Sequence, residues 1–186
     1  MNDTFIIEDT KIEGVKILIP QRFTDNRGHL TVLYNQKVLF DILGVNFVQD
    51  KCTKSDKGVL RGIHFQEKHP QGKLVSVLSG KVLDVIVDFR KSSPTFGQYF
   101  SIILDEKEAK SVYIPEGLGH GFIALEENSI FLYKTTDYFF PEFDKGVKWN
   151  DTDLNINWET EEYSIDKVII SARDKVLPSF KEYFKL

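Results

Sequence analysis

The sequence predicts an all-β domain, a sandwich or barrel with a few short peripheral helices. Three observations predict it. Turn signals recur at short intervals, at Asp25-Asn26-Arg27-Gly28, Ser55-Asp56-Lys57-Gly58, Ser79-Gly80, Ser92-Ser93-Pro94, Pro115-Glu116-Gly117 and Glu126-Glu127-Asn128. Between them lie strand-length runs rich in Val, Ile, Leu, Phe and Tyr, at 45–49, 73–78, 81–89, 99–104, 120–125 and 130–138. Aromatic residues make up 13% of the chain, with 15 Phe and 7 Tyr, and such side chains favour strands.

Taken in order, residues 36–43 form a candidate short helix. The run 81–89 alternates with period two: Leu83, Val85, Val87 and Phe89 share one face, and Val82, Asp84, Ile86 and Asp88 the other. In 130–138, Tyr133 shares a face with Phe131 and Thr135. The polar, Asn/Asp/Glu-rich stretch 149–164 reads as a loop wrapping the core. Residues 178–184 start a second helix, with Pro178 near its N-terminus. With no linker and no repeat, the expectation is one domain over 1–186. A chain of 21.5 kDa buries about 70% of its surface on folding, enough for a core without staples.

Charge narrows the function. Lys+Arg is 24 and Asp+Glu 28, a net charge of −4, which does not suggest a nucleic-acid-binding surface. Cys52 is the one cysteine, so no disulfide framework exists and a cytoplasmic location is expected. Met1-Asn2-Asp3-Thr4 lacks a basic region and a long apolar run, so no export leader is expected, and no apolar run is long enough to span a bilayer. The two Asn-Asp-Thr triplets match a glycosylation pattern that has no use in the cytosol.

The residues that could carry chemistry each have two readings. His64 and His120 lie among apolar residues and next to glycines, so each is either a satisfied core histidine or a site histidine beside closely approaching backbone. His29 and His69 sit in turn-like, solvated surroundings. Lys73 opens a strand and shares a face with Val75 and Val77. It either snorkels to water or directs its ammonium into the barrel, where the desolvated charge needs a partner or a task. Tyr133 is a core tyrosine or a site phenol. Asp84, on an otherwise apolar strand, is a structural or supporting carboxylate. Pro115-x-Gly117-x-x-His120 looks like the second metal motif of cupins, but the first motif would need His-x-His and here reads His64-Phe65-Gln66. Metal-dependent chemistry is therefore not expected.

Together these stretches resemble the dTDP-4-dehydrorhamnose 3,5-epimerase family, over residues 16 to 177. The resemblance rests on Phe23-x-Asp25-x-Arg27-Gly28, Phe47-Val48-Gln49-Asp50, Val59-Leu60-Arg61-Gly62-Ile63-His64-Phe65-Gln66, Gln71-Gly72-Lys73-Leu74-Val75, Asp84-Val85-x-Val87-Asp88-x-Arg90, Ser93-Pro94-Thr95-Phe96-Gly97, Ile114-Pro115-Glu116-Gly117-x-x-His120-Gly121-Phe122, Tyr133-Lys134, Trp149-Asn150-Asp151 and Ile170-Ser171-Ala172-Arg173-Asp174. It implies a cupin-like jelly-roll barrel and a homodimer in which the partner's N-terminal segment completes each site. It implies no metal and no cofactor, with a nucleotide sugar as substrate. His64 would be the general base paired with Asp174, Lys73 would stabilise an enolate, and Tyr133 would be the acid on the opposite sugar face. Arg27 and Arg61 would meet the diphosphate, Gln49 and His120 would line the pocket, Tyr138 would help hold the nucleobase, and Asp144 would sit near the sugar nucleotide. The chain departs from the family's usual residues at Val32 (Glu), Lys51 (Asn), Cys52 (His), Thr152 (Pro) and Glu159 (Pro). The alternatives are an epimerase acting at one carbon or on another nucleotide-linked 4-keto sugar, a metal-dependent cupin, or a non-catalytic sugar-nucleotide binding module.

One feature of the strand pattern stands out. Strict alternation puts Arg61 and His64 on opposite faces, so a shared pocket requires a bulge near Gly62.

Overall fold

The computed structural model describes residues 5–186. Met1–Thr4, on which the absence of a leader and the first Asn-Asp-Thr triplet were read, lie outside the described residues. The elements run β1 (Phe5–Asp9), β2 (Lys16–Pro20), β3 (Arg22–Asp25), β4 (Gly28–Thr31), α1 (Gln36–Leu43), β5 (Gln49–Ser55), β6 (Leu60–Gln66), β7 (Lys73–Ser79), β8 (Lys81–Asp88), β9 (Tyr99–Asp105), β10 (Ser111–Ile114), β11 (Leu118–Ala124), β12 (Ser129–Thr135), β13 (Asp144–Gly146) and α2 (Phe180–Phe184). A six-stranded sheet, β1-β2-β10-β7-β12-β5, faces a five-stranded sheet, β13-β6-β11-β8-β9, and β3-β4 forms a separate hairpin. The two large antiparallel sheets make the jelly roll.

The core is layered. Val75, Val77, Val112, Ile114 and Phe131 of the six-stranded sheet meet Val82, Ile86, Leu104, Leu118 and Phe122 of the other. The outer face of the five-stranded sheet is covered as well: Leu83, Val85 and Val87 pack against Val147, Leu154, Trp158, Phe180 and Phe184. This is why the 81–89 run is apolar on both faces, Asp84 and Asp88 apart. The expected wrapping loop at 149–164 supplies part of that cover. The Trp158 indole N–H donates to the Trp149 carbonyl at 2.9 Å, and the Asp151 carboxylate accepts from the backbone N–H groups of Asp153, Leu154 and Phe180. On the far side of the six-stranded sheet, Leu18, Leu74 and Tyr113 pack against Leu39 of α1.

Both helices have sequence-encoded ends. Asn35 caps α1 by accepting from the Val38 N–H, and Ser179 with Glu182 closes a capping box at α2. Pro178 therefore lies ahead of the cap and outside the helix, which starts two residues later than the sequence suggests.

One departure and one expected feature matter for function. The apolar run at 45–49 is not a strand; Val45 and Phe47 pack beside α1, and the strand is Gln49–Ser55. Its inward residues, Gln49, Lys51, Thr53 and Ser55, are polar, so hydrophobic patterning misses it. The bulge near Gly62 is present. Pairing between β11 and β6 shifts so that the step from Phe122 to His120 lies opposite the longer step from Arg61 to His64. Gly62 has φ +134°, and a Cβ there would lie 2.5 Å from the Gly121 Cα. The extra residue lets Arg61 and His64 face the same side.

Candidate active site

A cleft of about 750 Å³ opens between the two sheets. His64 and Arg61 enter from β6 and His120 from β11 on one side. Lys73 enters from β7, Tyr133 from β12, and Lys51 and Thr53 from β5 on the other. Asp144 of β13 and the segment carrying Ser171, Arg173 and Asp174 close one end.

The His64 Nε2 lies 2.7 Å from Asp174 Oδ1, with His64 26% exposed and Asp174 3%. Burial works to raise the Asp174 carboxyl, but the hydrogen bond and charge of His64, with Ser171 and Arg173, outweigh it and hold the group below its usual value. The carboxylate thus stays ionised and fixes the imidazole's orientation. Lys73 lies beside this pair, its Nζ making a long hydrogen bond of 3.5 Å to the His64 carbonyl. Burial pulls its ammonium down to about 8, partly offset by Asp144 and Asp84 and reinforced by Lys51. Across the cleft, burial raises the Tyr133 phenol; Arg61 opposes the shift and Asp144 adds to it. A neutral phenol near an ammonium, with a carboxylate-held imidazole on the facing sheet, can move protons at two faces of one bound carbon skeleton.

A second His–Asp pair lies deeper. His120 Nε2 is 2.7 Å from Asp84 Oδ1, and the two side chains are 8% and 0% exposed. Asp84 is thus the supporting carboxylate that its strand position suggested. Asp88, on the same face, instead holds the following turn by accepting from Arg90, Ser93 and Thr95. Gln66, at the position of a cupin ligand, is committed to backbone: its amide N–H groups donate to the His69 and Tyr138 carbonyls, and its carbonyl accepts from Phe140 N–H. Among the described residues no group of three or more His, Cys, Asp and Glu is placed to hold a metal ion.

Not every residue singled out in the sequence reaches the cleft. Arg27 sits on the separate β3–β4 hairpin, exposed and paired with Asp25 at 2.6 Å. Tyr138 is 58% exposed and does not line the cleft. The chain leaves strand alternation after β12, where the Tyr138 N–H donates to Asp137 Oδ1, and the next ring, Phe139, lines the wall instead. Gln49 shares the inward face of Lys51 but lies beyond the cleft lining, its Oε1 buried without a partner among the described residues. His69 is half-exposed against Phe140, and His29 is exposed, though on β4 rather than in a turn. Residues that sequence reasoning missed are Thr53, Gln71, Phe139 and Arg173, the last paired with Asp144 at 2.7 Å. Gln71 and Arg173 lie within the motifs that carry the family resemblance, which is the available signal.

Residues 9–182 match the family model described as dTDP-4-dehydrorhamnose 3,5-epimerase. The chain belongs to that family. The dTDP-4-dehydrorhamnose 3,5-epimerase of Salmonella typhimurium is 43% identical over 176 residues, covering 93% of this chain and 94% of that one. The Legionella pneumophila dTDP-6-deoxy-D-glucose-3,5-epimerase, solved in complex with dTDP-4-keto-L-rhamnose, superposes with a TM-score of 0.90 at 39% identity, covering 95% and 93% of the two chains. A 3'-monoepimerase of Streptomyces bikiniensis, solved with dTDP-quinovose, also superposes, with a TM-score of 0.86 at 30% identity, covering 95% and 90%. As a sugar-nucleotide epimerase, the chain has a cleft that must hold an anion although the protein is acidic. The lining answers that need: Lys51, Arg61, Lys73 and Arg173 outnumber the carboxylates Asp144 and Asp174.

Proposed function

We propose that the protein epimerises a dTDP-4-keto-6-deoxyhexose at C3 and C5, for deoxysugar biosynthesis of the dTDP-L-rhamnose kind. The observation that carries this reading is His64 on one sheet, paired with Asp174 of the C-terminal segment, facing Tyr133 on the other sheet, with Lys73 in the same cleft. The C4 ketone acidifies the C3 and C5 protons. His64 removes one as general base, and Asp174 stabilises the imidazolium that forms. The electron pair moves to the C4 oxygen, where the Lys73 ammonium, in a partly desolvated cleft, stabilises the enolate. Tyr133 returns a proton from the opposite face, inverting the carbon. His64 then gives its proton to water and Tyr133 regains one from water, and the same steps repeat at the second carbon. No step draws on a metal or cofactor.

Arg61 is assigned to the diphosphate, and His120, held by Asp84, to the pocket wall. Asp144, held by Arg173, is assigned to the sugar nucleotide. The exposed hairpin carrying Arg27 fits a homodimer in which that arginine serves the partner's cleft. Gln49 and Tyr138 would act on the nucleotide once that second chain frames the site. The chain would act as a single domain in the cytoplasm. Among the described residues no helix is long and apolar enough to cross a membrane.

Incubation with dTDP-4-keto-6-deoxyglucose in D₂O tests the reading. Deuterium at both C3 and C5 supports it, and deuterium at one carbon identifies a mono-epimerase. No incorporation by folded protein rejects this substrate. His64→Asn should abolish exchange, while Tyr133→Phe should leave some exchange but impair inversion.

A further inference from the structure

We infer that Lys51 is a positioning residue that tunes the Lys73 ammonium through space, so that the cleft holds two mutually repelling cations which the enolate relieves. The inference rests on the epimerase reading for its catalytic meaning, and on geometry for the coupling itself. In the sheet register Lys51 lies directly opposite Tyr133, and Tyr133 in turn lies opposite Val75, two residues along the inward face from Lys73. The two lysines therefore flank the phenol on one inward-facing surface, and both line the cleft.

The Lys51 ammonium is held in place by aromatic rings. Its Nζ lies 4.1 Å from the Phe139 ring centroid and 5.8 Å from that of Tyr133. Among the described residues it makes no close ion pair; Asp144, paired with Arg173 at 2.7 Å, favours its charge only through space. An ammonium anchored by ring faces, with Asp144 acting on it only through space, still directs field into the cleft.

The field reaches Lys73, where Lys51 acts to lower the ammonium's pKa alongside burial, while Asp144 and Asp84 act to raise it. The other groups facing Lys73 are His64 and Arg61 from β6, His120 from β11 and Tyr133 from β12, with Arg173 and Asp174 from the C-terminal segment. Before reaction the two ammonium groups raise one another's energy. Negative charge appearing on the C4 oxygen cancels that repulsion, so the stabilisation is larger in the transition state than in the substrate complex. Neutralising Lys51 removes this difference and lets Lys73 hold its proton to higher pH.

The experiment compares wild type with Lys51→Met, Lys51→Asn and Lys51→Arg. Lysine ¹³Cε NMR reads the Lys73 titration midpoint, assigned with Lys73→Met, and kcat/KM is followed from pH 6 to 10. The Lys73 midpoint and the alkaline limb should both rise by about half a pH unit in the Met and Asn variants, the scale of one unit charge acting across a partly hydrated cleft. The Arg variant, which keeps the charge, should stay near wild type. An unmoved midpoint in folded Met and Asn variants overturns the inference. Weaker dTDP binding with an unmoved midpoint also overturns it and makes Lys51 a diphosphate contact. If wild type exchanges no deuterium, the epimerase reading fails, whereas the NMR midpoint still decides the coupling.

Discussion

Gly62→Ala probes the junction between fold and site. Gly62 has φ +134°, which an alanine adopts at a cost of about 1–3 kcal/mol. The added Cβ would also meet the Gly121 Cα at 2.5 Å and the His120 carbonyl oxygen at 3.0 Å. Both are backbone atoms of the neighbouring strand, so β6 and β11 must separate by about 1 Å to restore ordinary contact, an overpacking cost of about 1–3 kcal/mol. The sum, about 2–6 kcal/mol, lowers Tm by roughly 5–15 °C in a domain of this size. Gly28→Ala is the control: φ is +128° there and nothing lies within 4 Å of the added atom, so only the conformational part applies. Calorimetry on both variants separates the two contributions, and deuterium exchange at C3 and C5 reports on the site. The separation would displace His64 relative to Lys73, so exchange should fall by more than tenfold, since small misplacements are costly in a preorganised site. If Gly62→Ala loses no more stability than Gly28→Ala, the close approach of the strands is not what demands glycine. If it keeps wild-type exchange, the bulge is not needed to aim His64.

Three other outcomes follow from the same geometry. Asp174→Asn should lower kcat by about 10²–10⁴ while leaving dTDP affinity unchanged, because it removes the charge that holds the imidazolium but not the cleft; rapid-quench kinetics and calorimetric titration check it. Asp88, held down to about 2 because its Arg90, Ser93 and Thr95 hydrogen bonds outweigh burial, contributes stability that is complete above about pH 4 and lost as pH falls through 2. Asp88→Asn should therefore cost about 2 kcal/mol at pH 7 in urea denaturation, and less as the pH is lowered. For Lys73 the sign is reversed: its ammonium is depressed to about 8 from 10.5, so the fold carries the cost of the charge below pH 8 and is relieved as pH rises from there. Lys73→Met should be at least as stable as wild type at pH 7 yet lose exchange, and wild-type kcat/KM should fall as pH passes through about 8.

The strands legible in the sequence were those with apolar inner faces. Residues 73–78 and 81–89 could be placed because Val75, Val77, Val82 and Ile86 fill the space between the sheets. The strand Gln49–Ser55 could not, since its inward Lys51 and Thr53 serve the cleft rather than the core. Short strands such as β2, β10 and β13 carry too few residues for a period to show. For Lys73 and Tyr133, on regular strands, alternation gave the neighbours on their face but left open whether that face meets a cleft, and the family resemblance supplied the inward reading. His64 and Arg61 needed the bulge, which was legible because alternation conflicted with their joint use. Tyr138 and Phe139 exchanged places because the chain leaves its strand there, and no pattern marks the residue at which alternation stops.

The two His–Asp pairs show why residue type alone could not assign roles. Each joins a histidine Nε2 to a carboxylate Oδ1 at 2.7 Å. Their surroundings differ. His120 is 8% exposed, and burial lowers its pKa despite Asp84, so the imidazole is neutral at pH 7. Its ring stacks at 6.0 Å on Phe131 of the facing sheet, and Asp84 holds it from β8, the neighbouring strand of its own sheet. A buried, neutral and immobile imidazole makes a rigid hydrogen-bonding wall but a poor shuttle, since accepting a proton there means charging a desolvated ring. His64 is 26% exposed at the cleft, and its carboxylate comes from the C-terminal segment. Its second nitrogen has no hydrogen bond among the described residues and, in the proposed mechanism, is the one that meets the substrate. Asp84→Asn and Asp174→Asn should therefore diverge. The first should loosen the pocket and raise KM with a modest loss in kcat, whereas the second should act chiefly on kcat. Equal effects on kcat would mean that both histidines handle the substrate proton.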